Sequence, residues 1–193
     1  MDVDETLAAK AARGNREAFD ELVNRYQSRM FQLVRILTSG DAEAEDLVQD
    51  TFVRAYRAVG QFRGDSTFRT WLHRIAVNVV RSHAARRNSR GRPRSVEADA
   101  ADDDAAVGRL ASHEDLEDAV VRRRTIDQAL ARLPPEMRLL ITLRDVQGLE
   151  YREIAVITGL PIGTVESRIF RGRRRLRPML APLLERSAPR REK

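Results

Sequence analysis

Residues 151–177 of the chain read YREIAVITGLPIGTVESRIFRGRRRLR. A short segment with helical apolar spacing, 151–158, is followed by Gly159-Leu160-Pro161 and then by a long basic segment. This order predicts a helix-turn-helix. Gly159 can adopt the left-handed backbone conformation that such a turn requires. Val165 and Ile169 lie one helical turn apart, so we expect both to pack inward against the neighbouring helix.

One face of the predicted second helix carries a polar residue followed by arginines, at the spacing of a single helical side: Thr164, Arg168, Arg171 and Arg175. Residues near the start of such a helix can reach base edges in the major groove, and later arginines can contact phosphates. The pattern therefore favours a helix that binds duplex DNA. The alternative is a generic helical hairpin with a solvated arginine face, and the segment alone fits many transcription regulators.

The rest of the chain also predicts helices. Apolar residues recur at helical spacing, glycine and proline are sparse inside the periodic stretches, and we find no run of alternating β-branched residues. We therefore expect an all-α fold of two small helical units. The first unit, 15–87, is expected to be a helical bundle, and the second, 114–186, contains the helix-turn-helix. Between them the periodicity vanishes, so 88–113 is predicted to be a flexible linker.

Charge is distributed unevenly along this basic chain, whose formal net charge is +6. Residues 81–94 carry six arginines and no acid, and residues 162–177 carry six arginines against Glu166. Between these blocks, residues 96–118 hold nine acids against Arg109. Basic surfaces of this kind attract polyanions such as nucleic acid. A single charge run is as often an ordinary solvated face, but two basic blocks at the ends of separate helical units favour nucleic-acid binding.

Several functional classes are excluded by what the sequence lacks. The chain has no cysteine, which removes disulfides, thiol catalysis and cysteine-based metal sites. His73, His83 and His113 are isolated, and we find neither a glycine-rich phosphate loop nor a nucleophile motif. We therefore expect no enzyme, no cofactor and no metal. The N-terminus has no signal-peptide pattern and no apolar run is long enough to span a bilayer, so we expect no membrane insertion.

Two long stretches together resemble a known family. Residues 44–78 read AEDLVQDTFVRAYRAVGQFRGDSTFRTWLHRIAVN, and residues 133–177 read LPPEMRLLITLRDVQGLEYREIAVITGLPIGTVESRIFRGRRRLR. In this order, across a variable linker, they resemble the extracytoplasmic-function branch of the sigma-70 family, close to the sigma-E type. The resemblance implies a cytoplasmic bacterial subunit that binds the β′ clamp and β flap of RNA polymerase core and recognises promoter DNA. It also implies a stress or envelope regulon and an anti-sigma factor that sequesters the chain at the inner-membrane face.

The resemblance also implies roles for residues of the first unit. An acidic helix would dock on the polymerase clamp through Asp46, Gln49, Asp50 and Arg54. Without the family match, an ordinary exposed helix face would be the preferred interpretation. The following loop and helix would capture the −10 element as a single strand, through Phe62, Arg63, Gly64, Asp65, Ser66, Arg74, Asn78 and Arg81. An aromatic pocket with polar groups in a basic channel suits a flipped base. For Asn78 the alternative is a core amide, and Trp71 is expected in the core.

In the second unit, the positions that match the family's −35 contacts are Arg144, Thr164, Glu166, Ser167, Arg168, Phe170 and Arg171. Glu166 departs from close relatives, which often carry a basic residue there. Because an acid can accept from a cytosine amino group but repels phosphate, we expect a different −35 sequence from that of the best-known relatives. The rival hypotheses are a stand-alone helix-turn-helix regulator, which would bind duplex DNA without polymerase, and an RNA-binding adaptor.

Overall fold

A computed structural model describes residues 3–38, 42–89 and 113–186, and the regular elements within these ranges are all helical. The predicted all-α class is confirmed. Most of the predicted linker, 88–113, lies outside the described residues. Among the helices in the described ranges, none combines the length and apolar character needed to cross a membrane.

The first unit consists of helices that pack in chain order, α1 on α2, α2 on α3 and α3 on α4, with a 3₁₀ turn at Val59–Gln61 after α3. The bounds are α1 Val3–Ala12, α2 Arg16–Thr38, α3 Ala42–Ala58 and α4 Phe68–Ser89. The sequence did not predict α1, which lies before the expected first unit, 15–87. The apolar stripe of α1 is weak because it buries small side chains, Ala8 and Ala11, against α2.

The core of the first unit contains Leu22, Leu33 and Leu72, which are fully buried. At the start of α4, Phe68 lies among other aromatic rings. Its ring centroid is 5.6 Å from that of Tyr26 and 5.6 Å from that of Trp71. Edge-to-face and tilted arrangements of this kind are favourable between aromatic rings. Trp71 is half-buried and packs against the core, as expected from the sequence.

The second unit comprises α5 His113–Ala131, α6 Pro135–Ile141, α7 Tyr151–Thr158 and α8 Ile162–Arg186. Proline at the start of α6 suits a position whose N–H has no helical partner. A π-helical turn, Thr142–Val146, extends α6. The predicted turn is present, since Gly159 has φ +73° between α7 and α8. Val165 and Ile169 are buried, as their spacing predicted.

The two units pack against each other, and most of their buried apolar residues belong to one cluster that includes Ala8 of the first unit and Leu176 of the second. α4 contacts α7, and α2 contacts α5 and α6. On the surface of this contact, Arg35 of α2 pairs with Asp127 of α5 at 2.8 Å. The sequence predicted two units on a flexible tether and gave no sign that they share a core.

Candidate nucleic-acid and protein-docking surfaces

The outer face of α8 is open to solvent. Arg171 and Arg175 are exposed, Thr164 is half-buried, and Glu166 and Ser167 are also exposed. Phe170 is 69% exposed, which is unusual for a large apolar side chain. Val165 and Ile169 anchor the opposite face in the core. The helix can therefore present this face to a groove without unfolding any part of the unit.

Two predicted DNA-contacting arginines are held by partners that the sequence did not indicate. Arg168 donates to Glu136 of α6 at 2.5 Å. Arg144 donates to the carbonyl oxygen of Leu149 at 2.9 Å and lies 3.1 Å from a carboxylate oxygen of Glu150. These contacts fix the direction of both guanidinium groups before any ligand arrives.

A further pair orders the basic face of α8. Arg173 forms an ion pair with Asp145 of the π-helical turn. The side chain of Arg144 also lies over the ring of Tyr151, with 4.8 Å between the guanidinium carbon and the ring centroid. Asp145, Glu136 and Glu150 thus organise the arginines. The sequence could not identify them, because the pairs with Asp145 and Glu136 join positions 28 and 32 residues apart.

The loop between the 3₁₀ turn and α4 presents polar groups around an aromatic wall. The ring of Phe62 packs against two aromatic rings of α4, and its centroid lies 5.4 Å from that of Trp71 and 6.0 Å from that of Phe68. Beyond it the loop turns at Gly64, whose φ of +77° favours glycine. Arg63 and the residues that follow it in the loop are open or half-open to solvent: Gly64, Asp65 and Ser66.

Along α4, Arg74, Asn78 and Arg81 are all exposed and lie at helical spacings of four and three residues. The alternative of Asn78 as a core amide is wrong, because its side chain faces solvent between buried neighbours. The structure therefore brings the predicted −10 residues together, as a polar loop followed by one basic face of a single helix.

The arginine block at the end of α4 has a partner in α3. Arg87 donates to both carboxylate oxygens of Glu43, at 2.6 and 2.7 Å. Arg86 donates to the carbonyl oxygen of Ser82 on its own helix at 3.2 Å. Arg87 therefore holds α4 to α3, a role that the charge pattern alone did not indicate.

The polar face of α3 is accessible. Asp46 and Gln49 are exposed, and Arg54 donates to Asp50 one helical turn away at 2.9 Å. Two apolar side chains lie on the same helix, Val53 at 46% exposed and Tyr56 at 53% exposed. An exposed apolar pair next to acidic groups is typical of a docking surface for another protein. The sequence pattern alone did not single out this pair.

A different face of α4 forms the contact between the two units. Arg69 donates to the carbonyl oxygen of Gln147, and Thr70 Oγ1 donates to Glu153 at 2.7 Å. His73 is fully buried, with Nε2 3.3 Å from Oε1 of Gln147 and Nδ1 2.7 Å from the carbonyl oxygen of Arg69. Burial lowers the pKa of the His73 imidazole below its ordinary value. The hydrogen bonds to Arg69 and Gln147 raise the pKa, but their effect is smaller than that of burial.

Comparison with known proteins shows the family to which the chain belongs. Residues 22–90 match the family described as Sigma-70 region 2, and residues 123–176 match Sigma-70, region 4. The RNA polymerase sigma-H factor of Pseudomonas aeruginosa is 40% identical over 184 residues, which cover 94% of this chain and 95% of that protein. The chain belongs to the sigma-70 family. Another relative, the ECF RNA polymerase sigma-E factor of Escherichia coli, is 39% identical. The alignment covers 95% of the present chain and 97% of the E. coli protein.

Solved structures of similar proteins include sigma factors bound to partners. CnrH, in complex with the cytosolic domain of CnrY, has a TM-score of 0.66 and 32% identity, covering 97% of this chain and 100% of that one. The sigma factor RpoE of Bartonella quintana, in complex with the anti-sigma factor NepR, has a TM-score of 0.64 and 28% identity, covering 84% and 96%.

The expected function is thereby confirmed at the level of the family. The chain is a sigma factor of the extracytoplasmic-function type, which associates with RNA polymerase and promoter DNA to start transcription. A stand-alone helix-turn-helix regulator is not favoured, because such a protein would not match region 2 over residues 22–90.

Proposed function

We propose that three surfaces of the chain have separate binding roles in transcription initiation. The face of α3 around Gln49 docks on polymerase core. The loop 62–66 with the exposed face of α4 holds the −10 element as a single strand, and α8 binds the −35 element as duplex. The observation that carries this proposal is that Phe62 packs on Trp71 where the polar loop begins, and that the exposed Asn78 lies two turns further along α4 on the same side as Trp71.

Polymerase supplies most of the free energy of promoter opening. Separating stacked base pairs costs on the order of 1.4 kcal/mol per step, so a bubble costs well over 10 kcal/mol. A handful of contacts by two small units falls short of that. The sigma factor therefore contributes sequence specificity and a pocket for unpaired bases, while core enzyme holds and bends the duplex.

The two units separate when the chain engages a promoter. The −10 and −35 elements lie about 25 base pairs apart, roughly 85 Å along the duplex. A compact chain of this length has a radius of gyration of about 16 Å, too small to contact both elements at once. A predicted linker of about 25 residues, 88–113, spans roughly 80–90 Å when extended. The packed arrangement is therefore the free form, and binding to core requires that it open.

The −35 specificity of this chain differs from that of relatives with a basic residue at the position of Glu166. Glu166 is exposed in the second turn of α8. It can accept a hydrogen bond from the exocyclic amine of cytosine, and it repels a nearby phosphate. We therefore expect cytosine in the base pair that Glu166 faces.

An anti-sigma factor controls this chain by covering surfaces that polymerase needs, as similar sigma factors have been solved with a bound partner. A membrane-anchored partner would hold the chain at the inner face of the cytoplasmic membrane. The chain itself performs no chemical step, since every role above is binding or positioning.

The test is run-off transcription with purified core polymerase on a fragment library, with and without this chain. New start sites that share a −10 and a −35 element are expected only when the chain is present. Gln49→Ala should lower the affinity for core, whereas Gln27→Ala, an exposed glutamine on α2, should not. Unchanged start sites would contradict the proposed function.

A further inference from the structure

The N-terminal helix α1 contacts both ends of the loop 62–66. Before the loop, α1 packs against the 3₁₀ turn Val59–Gln61, where the carbonyl oxygen of Ala12 lies 3.9 Å from the place a Cβ of Gly60 would occupy. After the loop, Glu5 Oε1 accepts a hydrogen bond from the backbone N–H of Phe68 at 3.0 Å. The helix is therefore placed to set the geometry of this loop from outside it.

Phe68 is the first residue of α4, and its N–H has no partner within the helix. Thr67 caps another N–H of the same first turn, because its Oγ1 accepts from the N–H of Thr70 at 3.1 Å. No acidic residue lies in the first turn of α4. Glu5 thus supplies from α1 the carboxylate that a helix N-terminus favours, for both the free N–H and the helix dipole.

The carboxylate of Glu5 makes an incomplete set of contacts for a half-buried group. Oε2 is buried and has no hydrogen-bond partner among the described residues. A buried acceptor without a partner lowers stability. Stability alone therefore does not explain a glutamate at this position. The neighbouring Asp4 anchors α1 separately, by accepting from Tyr26 Oη at 2.5 Å and from Arg25 at 3.1 Å.

We propose that Glu5 is a positioning residue for capture of the −10 element. By capping Phe68 it fixes the start of α4 and the aromatic wall of Phe62, Phe68 and Trp71, and so the direction in which the loop presents its polar groups. This inference rests on the proposed role of the loop 62–66. It adds α1, which lies outside the predicted first unit, to the machinery of promoter recognition.

The experiment measures holoenzyme, assembled from core polymerase and the full chain, binding a fluorescent single strand of the −10 sequence found by run-off transcription. Glu5→Ala should weaken this binding about fivefold, the effect of losing one helix cap. Glu5→Gln keeps a carbonyl acceptor and should remain within about twofold of the original protein. Affinity for core and for the −35 duplex should not change with either variant.

A matched control separates positioning from general stability. Asn15 caps α2 by accepting from the N–H of Ala18 at 2.8 Å, far along the chain from the loop. Asn15→Ala removes one cap and should lower Tm to a similar degree, yet leave −10 binding intact. Trp71, the single tryptophan, reports on the aromatic wall. Its emission should shift to longer wavelength in Glu5→Ala and stay unchanged in Glu5→Gln and Asn15→Ala.

Equal −10 binding by Glu5→Ala and the original protein would overturn the inference, as would an equal loss of core, −35 and −10 binding. Failure of the proposed function itself would give a different result. If holoenzyme with the original chain does not distinguish the −10 strand from a scrambled strand, the loop is not the capture site, whatever Glu5 does.

Discussion

A hydrogen bond of 2.7 Å from Thr70 Oγ1 to Glu153 Oε1 joins α4 to α7 across 83 residues of chain. The other oxygen of the same carboxylate accepts from the N–H of Glu150 at 2.7 Å, at the start of α7. One side chain thus caps the first helix of the helix-turn-helix and also ties that unit to the helix that carries Asn78. The contact between the units is therefore built from residues next to both proposed DNA-binding surfaces.

Thr70→Val should shift the chain toward the open arrangement. The substitution keeps the shape of the side chain but removes the hydroxyl that Glu153 accepts from, and a hydrogen bond to a charged group contributes about 1.5–3 kcal/mol. The open fraction should rise roughly tenfold or more. Because the chain has no cysteine, dyes can be attached at Asn24→Cys and Arg132→Cys, one exposed site in each unit, and energy transfer between them should fall.

The control for this prediction is Thr51→Val. Thr51 is also buried on a helix, and its hydroxyl donates to the carbonyl oxygen of Leu47 at 2.7 Å within the first unit. Its loss should leave the transfer efficiency unchanged. The same fall in both variants would mean that opening follows from general destabilisation.

The contact between the units should weaken as pH falls below about 6.5, the ordinary pKa of histidine. In the closed form burial lowers the pKa of His73, so the open form binds a proton more readily and acid favours opening. Above that pH the imidazole is neutral in both forms and the contact has its full strength. The groups facing His73 are Arg69 on its own helix and Gln147 and Glu153 of the second unit. Energy transfer between the same dyes, followed from pH 8 to pH 5, measures this.

His73→Gln should abolish the pH dependence in that range, while His83→Gln, a half-buried histidine ten residues further along α4, should keep it. If the pH-dependent change in energy transfer persisted in His73→Gln, another titrating group would be responsible for it.

Asn78→Ala should impair open-complex formation more than binding to polymerase. The exposed amide can read the edge of an unpaired base, and the docking face on α3 does not include it. Permanganate reactivity of unpaired thymines measures opening, and co-migration with core measures binding. Asn24→Ala, at an exposed position on α2, is the matched control. An equal loss of opening and binding would argue against a base contact.

Arg171→Ala should weaken binding to the −35 duplex by holoenzyme and lower the slope of log affinity against log salt by about one, as expected when one phosphate contact is lost. Arg171 is exposed on α8 and, within the described part of the chain, donates to the carbonyl oxygen of Ser167 on its own helix, at 3.2 Å. Arg132→Ala removes an exposed arginine outside α8 and should leave the slope unchanged. An unaltered slope in Arg171→Ala would exclude the phosphate contact.

Gly172→Ala should destabilise the second unit by about 1–3 kcal/mol, because overpacking a core contact costs that much. A Cβ at this position would lie 2.9 Å from Cγ1 of Ile141, where α8 crosses α6. Gly163, on the same helix, has nothing within 4 Å of its would-be Cβ, so Gly163→Ala should leave Tm unchanged or slightly higher. Thermal unfolding followed by circular dichroism distinguishes the two variants.

Much of this architecture follows from local patterns. The helices expected from apolar periodicity in the first unit are present, among them α2 at Arg16–Thr38 and α4 at Phe68–Ser89. Periodic apolar residues predict a helix from local sequence, because the pattern involves only positions three and four residues apart. α1 escaped prediction because alanine, which gives a weak apolar signal, forms its buried face. The assignment of residues to DNA and polymerase came from the family resemblance and stays a prediction.

The sequence by itself determined the helical class, the helix-turn-helix with its left-handed Gly159, and the inward faces of α8, because each depends on residues within a turn or two of one another. Only the tertiary structure decided which face of α4 meets the second unit, where Glu5 acts, and which acids hold Arg168 and Arg173. Those contacts join residues separated by 28 to 83 positions. Helical periodicity carries no information about which helix lies beside which, so such pairings emerge only when the whole chain packs.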